Sequence, residues 1–381
     1  MFLPIVGPVA RIVLRTLTFI LYAVTIVAAY GGHVNPALTA LPGVLTMAFP
    51  YLAIASMIVT AIWFVCGKWI TGAIGVAALA ACWSPLTNAV PFHFSRNPKA
   101  DKVQFSVMTW NWLHGNDQNA KPGEQVGAEP VDFIINSGAD IVCLQEMVNW
   151  NSYEIPNLTD SVKEAVTRAY PYVAYPPDPR NADRDTRVLS KYPVRYITTD
   201  EWRRRYPGTV PDDLRVYHFG LYEVNVEGNM VLLVNVHLFS AGLSPKQREV
   251  MTDIHSVGSA KASAREFKNS ILHKLKRNML EHERDVNLLC GMLSAYRGPI
   301  VICGDFNDVP ESYALRKMAQ AGFNSVQAEV GFGPLITYNQ HLMWFQLDHV
   351  FYRGALRPLS IKKQRIRTSD HYPLKVAFEL E

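Results

Sequence analysis

Apolar positions divide the chain into two parts. Up to about residue 90 they run almost unbroken: 12–30 holds only Arg15 near its start, 43–66 holds no charge, and 69–86 is again uncharged. Each run approaches the roughly 20 residues that cross a hydrocarbon core. One such run would fit a buried core helix, but three in succession with almost no polar face predict three transmembrane helices. Pro50 and the glycines Gly43, Gly72 and Gly75 are tolerated in such helices. Prolines Pro85, Pro91 and Pro98 then mark a linker. The organisation expected is a membrane anchor over 1–90, a linker over 91–102 and a body over 103–381.

In the body the apolar runs shorten to strand length. They predict strands at 104–109, 139–144, 187–194 (with Pro193 at an edge), 219–226, 230–238, 299–303, 347–352 and 374–378. Glu227-Gly228-Asn229 reads as the turn of a hairpin. Helical patterns cover 131–137, 160–169, 261–297 and 312–321. Strands outnumber helices and several pair locally, which predicts an α+β sandwich, two packed sheets covered by helices.

Charge sharpens this division. Only 18% of the 381 residues are charged, against roughly a quarter in an ordinary soluble protein. Residues 1–102 hold six of the 37 Lys and Arg and one of the 33 acids, leaving 31 basic and 32 acidic residues beyond them. The formal net charge of +4 thus belongs to the N-terminal part. The body lacks the basic excess of a typical nucleic-acid binder, although Arg203-Arg204-Arg205 and Lys362-Lys363 form local clusters. Arg11, Arg15 and Lys68 against an uncharged 31–42 loop put the N-terminus in the cytoplasm by the positive-inside rule. Three spans then deliver the body to the extracytoplasmic side, with Arg96, Lys99 and Lys102 pulling the other way. Five cysteines without metal-ligand spacing make neither a disulfide framework nor a zinc site. A bridge between Cys143 and Cys303, both in predicted strands, has no further support.

The candidate chemistry lies at strand ends. Val301-Ile302-Cys303 runs into Gly304-Asp305-Phe306-Asn307-Asp308, so polar groups crowd the mouth of a buried strand. Other predicted strands bring Asn111, Glu146, Asn235 with His237, Asp348-His349 and Ser369-Asp370-His371 to comparable positions. Taken singly, each could be a turn residue, a helix-start acid or a half-buried histidine. Six such ends in one domain point to a site.

Thr109-Trp110-Asn111, Leu144-Gln145-Glu146, Asn235-Val236-His237-Leu238, Gly304-Asp305-Phe306-Asn307, Leu347-Asp348-His349 and Ser369-Asp370-His371 occur in that order. Together they resemble the ordered motifs of the endonuclease/exonuclease/phosphatase superfamily, which includes deoxyribonuclease-I-like nucleases, neutral sphingomyelinases and inositol-polyphosphate phosphatases. The resemblance spans about 103–380 and implies a four-layered α/β sandwich. It implies a divalent metal, Mg²⁺ with Mn²⁺ or Ca²⁺ as alternatives, on Glu146 with Asn111 and Asp370. It further implies that Asp348 orients His371, that Asp305 and Asn307 position the attacking water and a phosphate oxygen, and that His237 donates to the phosphoryl oxygens. Such chemistry needs a positioned nucleophile, charge neutralisation and a group titrating near neutrality. Whether His371 or Asp305 takes the proton of the water stays open. Two departures matter. Asp185, Thr186 and Arg187 stand where relatives often carry glycine, and His237 stands where apurinic-site nucleases carry tyrosine.

The reading that follows is a membrane-anchored, metal-dependent phosphoesterase facing the extracytoplasmic side. Tethering favours a phospholipid or lipid-like phosphate ester as substrate. The alternatives are an extracytoplasmic nuclease, for which nucleic acid would be the partner, and a catalytically silent tethered binding module.

Overall fold

A computed structural model describes residues 7–113, 129–147, 160–177, 186–214, 216–242, 261–340 and 343–381. Asp185 lies outside the described residues.

The N-terminal part contains α1 (Pro8–Ala29), α2 (Leu41–Val65), α3 (Trp69–Ala81) and α4 (Trp83–Ala89). α1 and α2 are long and apolar enough to cross a membrane. The third apolar run is broken instead, α3 and α4 being bent by 64° at Cys82, so the bundle holds two spans, or three if the bent pair counts as one. Its packing is inside-out. The side chains of Thr25 and Ser56 meet at 2.8 Å, the Tyr22 and Thr60 hydroxyls at 2.9 Å, and Trp63 Nε1 donates to Thr18 Oγ1 at 3.0 Å. Ile12, Leu17, Ile58 and Ile62 point outward. Helices that meet through small and polar side chains while exposing aliphatic ones suit a lipid solvent. Gly75 lets α3 approach closely, since a Cβ there would sit 2.2 Å from Thr60 Oγ1.

The body's strands are β1 (Gln104–Asn111), β2 (Ile141–Gln145), β3 (Tyr172–Ala174), β4 (Arg187–Ser190), β5 (Val194–Tyr196), β6 (Phe219–Val226) and β7 (Asn229–His237). They continue with β8 (Ile300–Asp305), β9 (Asn324–Ser325), β10 (Tyr338–Gln340), β11 (Met343–Phe345), β12 (Asp348–Arg353), β13 (Leu356–Lys363) and β14 (Leu374–Leu380). One six-stranded sheet has the order β13-β14-β1-β2-β4-β3 and the other β5-β6-β7-β8-β12-β9, with β10-β11 a separate ribbon. The segment 187–194, expected as one strand, is divided between the sheets. Lys191 and Pro193 fall in the crossover between β4 and β5, where proline's missing N–H leaves no gap in a ladder.

β8 shows why its sequence is apolar throughout. Val301 and Cys303 face the core between the sheets, alongside Phe105, Cys143, Val224 and Phe378. Ile300 and Ile302 face outward onto Val286, Leu289 and Met292 of the helix Lys261–Leu293. A strand covered on both faces needs no polar alternation. On the other sheet, Met108, Val142 and Leu144 pack against Val131 and Ile134 of Glu129–Asn136 and against Val166 and Tyr170. The layers are therefore helix, sheet, sheet, helix. Cys143 and Cys303 are free thiols in the central core. Burial, and Cys303 beside it, push the Cys143 thiol well up, so both act as small apolar residues. The hairpin between β6 and β7 turns at Glu227 and Gly228, both with positive φ (51° and 89°), the geometry that matches strand twist.

Bundle and body touch at the α1–α2 loop, along the first half of α2 and at α4. Asn35, in the α1–α2 loop, donates to Glu283 and to the Tyr313 hydroxyl, both at 3.1 Å. Asn88 of α4 donates to Glu311 at 2.5 Å. The Tyr51 hydroxyl, on α2, donates to the Trp344 carbonyl at 3.0 Å and accepts from its N–H at 3.1 Å. The stretch 91–102 is held along the body as well. His93 N–H donates to Gly331 O at 2.8 Å, Arg96 pairs with Glu329 at 3.3 Å, and Glu379 accepts the Lys99 backbone N–H at 2.9 Å with the Lys99 ammonium 4.0 Å away. Two of the three cations that opposed the expected orientation are thus engaged by acids of the body.

Candidate functional site

Register gathers the polar strand ends. β7 and β8 run parallel with His237 opposite Asp305, and β12 runs antiparallel to β8 with Asp348 opposite the same Asp305. In the facing sheet, parallel β1 and β2 bring Asn111 opposite Gln145, so Glu146 follows at the same edge. β14 begins at Leu374, which leaves Ser369, Asp370 and His371 in the loop leading into that edge.

The contacts confirm the convergence. Asn111 Nδ2 is shared between Glu146 Oε1 at 3.1 Å and Asp305 Oδ2 at 3.0 Å. His371 Nδ1 lies 2.8 Å from Asp348 Oδ2, and its Nε2 lies 3.6 Å from Asp305 Oδ2. His237 Nε2 is 3.7 Å from Glu146 Oε1. Asn307 N–H donates to Asp305 Oδ1 at 2.8 Å, and its amide donates to Leu238 O at 2.9 Å. Asp370 lines the same cleft, of about 130 Å³, as Glu146, Asp305, Asn307, Asp308 and His371. All eight residues singled out from the sequence are therefore brought to one place.

Local backbone accounts for several of these positions. Gly304 has φ +150°, and a Cβ there would lie 1.9 Å from Val236 O, so β7 and β8 can pack only over glycine. Glu146 and Asn307 adopt φ of +54° and +48°. Such conformations are costly for a residue with a side chain and recur where function fixes its direction. Behind the site, Gln145 Nε2 donates to Asn235 Oδ1 at 2.6 Å, and Asn235 donates to the carbonyls of Leu144 and Arg187, both at 3.1 Å. This buried bridge ties the sheets together directly beneath Glu146. Replacing Asn235 by Leu would strip polar partners from Gln145 and two carbonyls, at about 1–3 kcal/mol. We expect thermal unfolding, followed by tryptophan fluorescence, to fall by about 5 °C; an unchanged midpoint would show that the bridge contributes no stability.

Electrostatics separate the roles. Burial pushes the Asp305 carboxyl up and Asp348 adds to it, while His371, His237 and the Asn111 amide pull it back. Burial works against the His371 imidazolium, but the Asp348 and Asp305 carboxylates prevail and hold it up to about 10. Asp305, Asp348 and His371 each bring one donor atom within 4.8 Å of the others. The Asp348–His371 contact is, however, a hydrogen bond that holds a proton, whereas Glu146 and Asn111 supply the oxygen-rich set that a hard cation prefers.

Some contributors were not signalled by the sequence. Thr337 Oγ1 accepts from the N–H groups of Leu347 and Asp348 at 3.0 and 3.1 Å, fixing the start of β12. Ser369, by contrast already marked by the Ser369-Asp370-His371 motif, couples the two halves of the site: its Oγ donates to Asn111 O at 2.7 Å and accepts from His371 N–H at 3.1 Å. Met47 of α2, Met279 and Met343 line the apolar side of the cleft.

A two-sheet sandwich with acids, amides and a His–Asp pair at one edge is the architecture of a phosphoester hydrolase. The model of the Endonuclease/Exonuclease/phosphatase family matches residues 108–371, and the chain belongs to that family; its members hydrolyse phosphoester bonds and generally use divalent metal ions. A second model, Domain of unknown function (DUF8431), matches residues 11–89. The chain is 39% identical over 100 residues to UPF0294 protein VP2298 of Vibrio parahaemolyticus and 33% identical over 103 residues to a UPF0294 protein of Vibrio cholerae. Each match covers 26% of this chain and 34% of the relative, so the chain spans about a third of the length of the curated relatives it matches. Among solved structures it is similar to an endonuclease/exonuclease/phosphatase from Beutenbergia cavernae (18% identity, TM-score 0.45, 73% of this chain and 72% of that one). It is also similar to the human Nocturnin catalytic domain (15% identity, TM-score 0.43, 73% and 95%).

Proposed function

We propose that this protein is a membrane-anchored, divalent-metal-dependent phosphoesterase whose body lies on the extracytoplasmic side and hydrolyses lipid-borne phosphodiesters. One observation carries the reading. The cleft gathers the carboxylates of Glu146, Asp305, Asp308 and Asp370, and no Lys or Arg is among its described lining residues. A phosphate ester is itself an anion and would be repelled from such a cleft unless a cation sat between.

In this reading Glu146, Asn111 and Asp370 hold Mg²⁺, which when bound neutralises charge on the phosphoryl oxygens. Asp348 fixes the ring of His371, and the protonated ring donates to a phosphoryl oxygen as charge develops there. Asp305, its carboxyl raised by burial, takes the proton of the attacking water. Asn307 positions that water and a phosphate oxygen, and His237 donates from the side of Glu146. Anchoring rests on the inside-out packing of the bundle. Sidedness rests on Arg11, Arg15 and Lys68, and on contact with the body at the α1–α2 loop, the opposite end of α1 from its arginines.

The test uses the full chain in nanodiscs. It is offered bis(p-nitrophenyl) phosphate, phosphatidylglycerol and DNA, each with Mg²⁺ or EDTA. Turnover of the first two that EDTA abolishes is expected. No metal-dependent turnover of any substrate overturns the enzyme reading, and turnover of DNA alone overturns the lipid preference.

A further inference from the structure

A second, apolar cavity of about 220 Å³ lies against the candidate site. It shares Met47, Val309 and Phe345 with the polar cleft, so the two spaces adjoin through one wall. From there it descends along α2 past Ile54 to Met57, with Ala89 of α4 on its other side. Ile54 and Met57 are half exposed, which leaves the cavity open sideways toward the surface that the bundle presents to lipid. Trp344, half exposed and bonded to Tyr51, lines it on the side of the body.

Its depth is informative. Met47 to Met57 is ten helical residues, or about 15 Å at 1.5 Å per residue. That is about half of a 30 Å hydrocarbon core, one leaflet. A lipid in the outer leaflet would have its phosphate at the level of Met47, where the cavity meets Asp305 and His371, and its chain alongside Ile54 and Met57. The flexible thioethers of Met47, Met279 and Met343 at the junction suit a chain without fixed shape. A site for water-soluble phosphate esters would have no use for an apolar extension of this length beside its acids.

We propose that the groove between α2, α4 and the body holds an acyl chain of the membrane lipid whose phosphoester lies at Asp305 and His371. This rests on the phosphoesterase reading above and specifies its substrate as a lipid drawn from the leaflet with one chain still inserted. Chain transfer from bilayer to groove gains little hydrophobic energy, since both are apolar. The groove therefore acts by aligning the phosphoester, through orientation rather than affinity.

The test keeps the full chain in nanodiscs. One photoprobe is a phosphatidylglycerol with a diazirine midway along one acyl chain; the other is a fatty alcohol with the same chain and diazirine but no phosphoester. With Mg²⁺, the phospholipid probe is expected to label Ile54, Met57 or Ala89 at least fivefold more than the alcohol. Lipid merely surrounding the helices would label equally with both. In Ile54→Trp, an exposed position where folding is little threatened, the ratio of kcat/KM for phosphatidylglycerol over bis(p-nitrophenyl) phosphate is expected to fall at least tenfold. Equal labelling, an unchanged ratio, or exclusion of both probes by a second copy of the chain seated in the groove would overturn the proposal. Wild-type protein that hydrolyses the soluble ester without selective labelling keeps the phosphoesterase reading and loses the groove. Selective labelling without turnover of any ester does the reverse.

Discussion

Replacing Glu146 by Gln lowers kcat/KM for a phosphodiester by about a thousandfold or more in the expected result, a loss of about 4 kcal/mol of transition-state stabilisation. The substitution is nearly isosteric. The Gln carbonyl can still accept from Asn111 Nδ2, the bond now made by Glu146 Oε1, so the left-handed backbone at this position loses no support. What disappears is one negative charge in a cleft where carboxylates outnumber cations. Two consequences follow in opposite directions. Thermal stability in EDTA stays level or rises, because one source of repulsion among the acids of the cleft is gone. The upward shift in melting temperature that millimolar Mg²⁺ gives the wild type shrinks toward zero, because ligand-linked stabilisation follows affinity. Calorimetry with and without Mg²⁺, together with hydrolysis of bis(p-nitrophenyl) phosphate, measures both. Full activity with an undiminished Mg²⁺ shift in the variant would remove Glu146 from the metal site.

The strands that carry the site were legible because they are buried on both faces. An apolar run ended by Asp or Glu, as at Ile302-Cys303-Gly304-Asp305, leaves few readings. The segment 187–194 reads as one strand because alternation reports that a segment is extended, not which sheet it joins. Two short strands with a crossover at Lys191 and Pro193 have the same pattern as one longer strand. β13 went unseen for a related reason: Pro358, next to a register shift between Pro358 and Ser360, interrupts the signal. The polar half of the cleft could be found because acids and histidines at strand ends are chemically conspicuous. Its apolar half could not. Met47 lies within a membrane-like helix, where any apolar residue reads as facing lipid or a neighbouring helix, and only the fold brings it within reach of Asp305. Thr337 was equally hidden, since a threonine in a loop has many uses and its service to Asp348 depends on a backbone path that periodicity does not encode.

Replacing Asp348 by Asn is the sharper test of how the site works, with an expected loss of about 10³–10⁴ in kcat and little change in KM. Asp348 is buried, its backbone N–H is held by Thr337 and its Oδ2 by His371. Asn fits the same space, but an amide nitrogen turned toward Nδ1 reverses the tautomer, and the charge that held the imidazolium is gone. His371 would then leave the position near 10 and fall toward its ordinary value of about 6.5, because only Asp305 and Asp370 would still oppose burial. The activity profile should respond accordingly. The wild type keeps a protonated His371 through neutral pH, whereas any residual activity of the variant begins to fall at a lower pH than that of the wild type. Stability carries the same signature. A raised imidazolium pKa contributes stability that is fully present below the unfolded value of about 6.5 and is lost as pH rises toward 10. The wild-type advantage over Asp348→Asn in melting temperature is therefore largest at pH 6 and narrows by pH 10. His371→Ala should cost as much activity as Asp348→Asn, and the double variant little more, because the two residues act as one unit. Additive losses in the double variant, or a melting difference that widens with pH, would show that Asp348 does not act through His371.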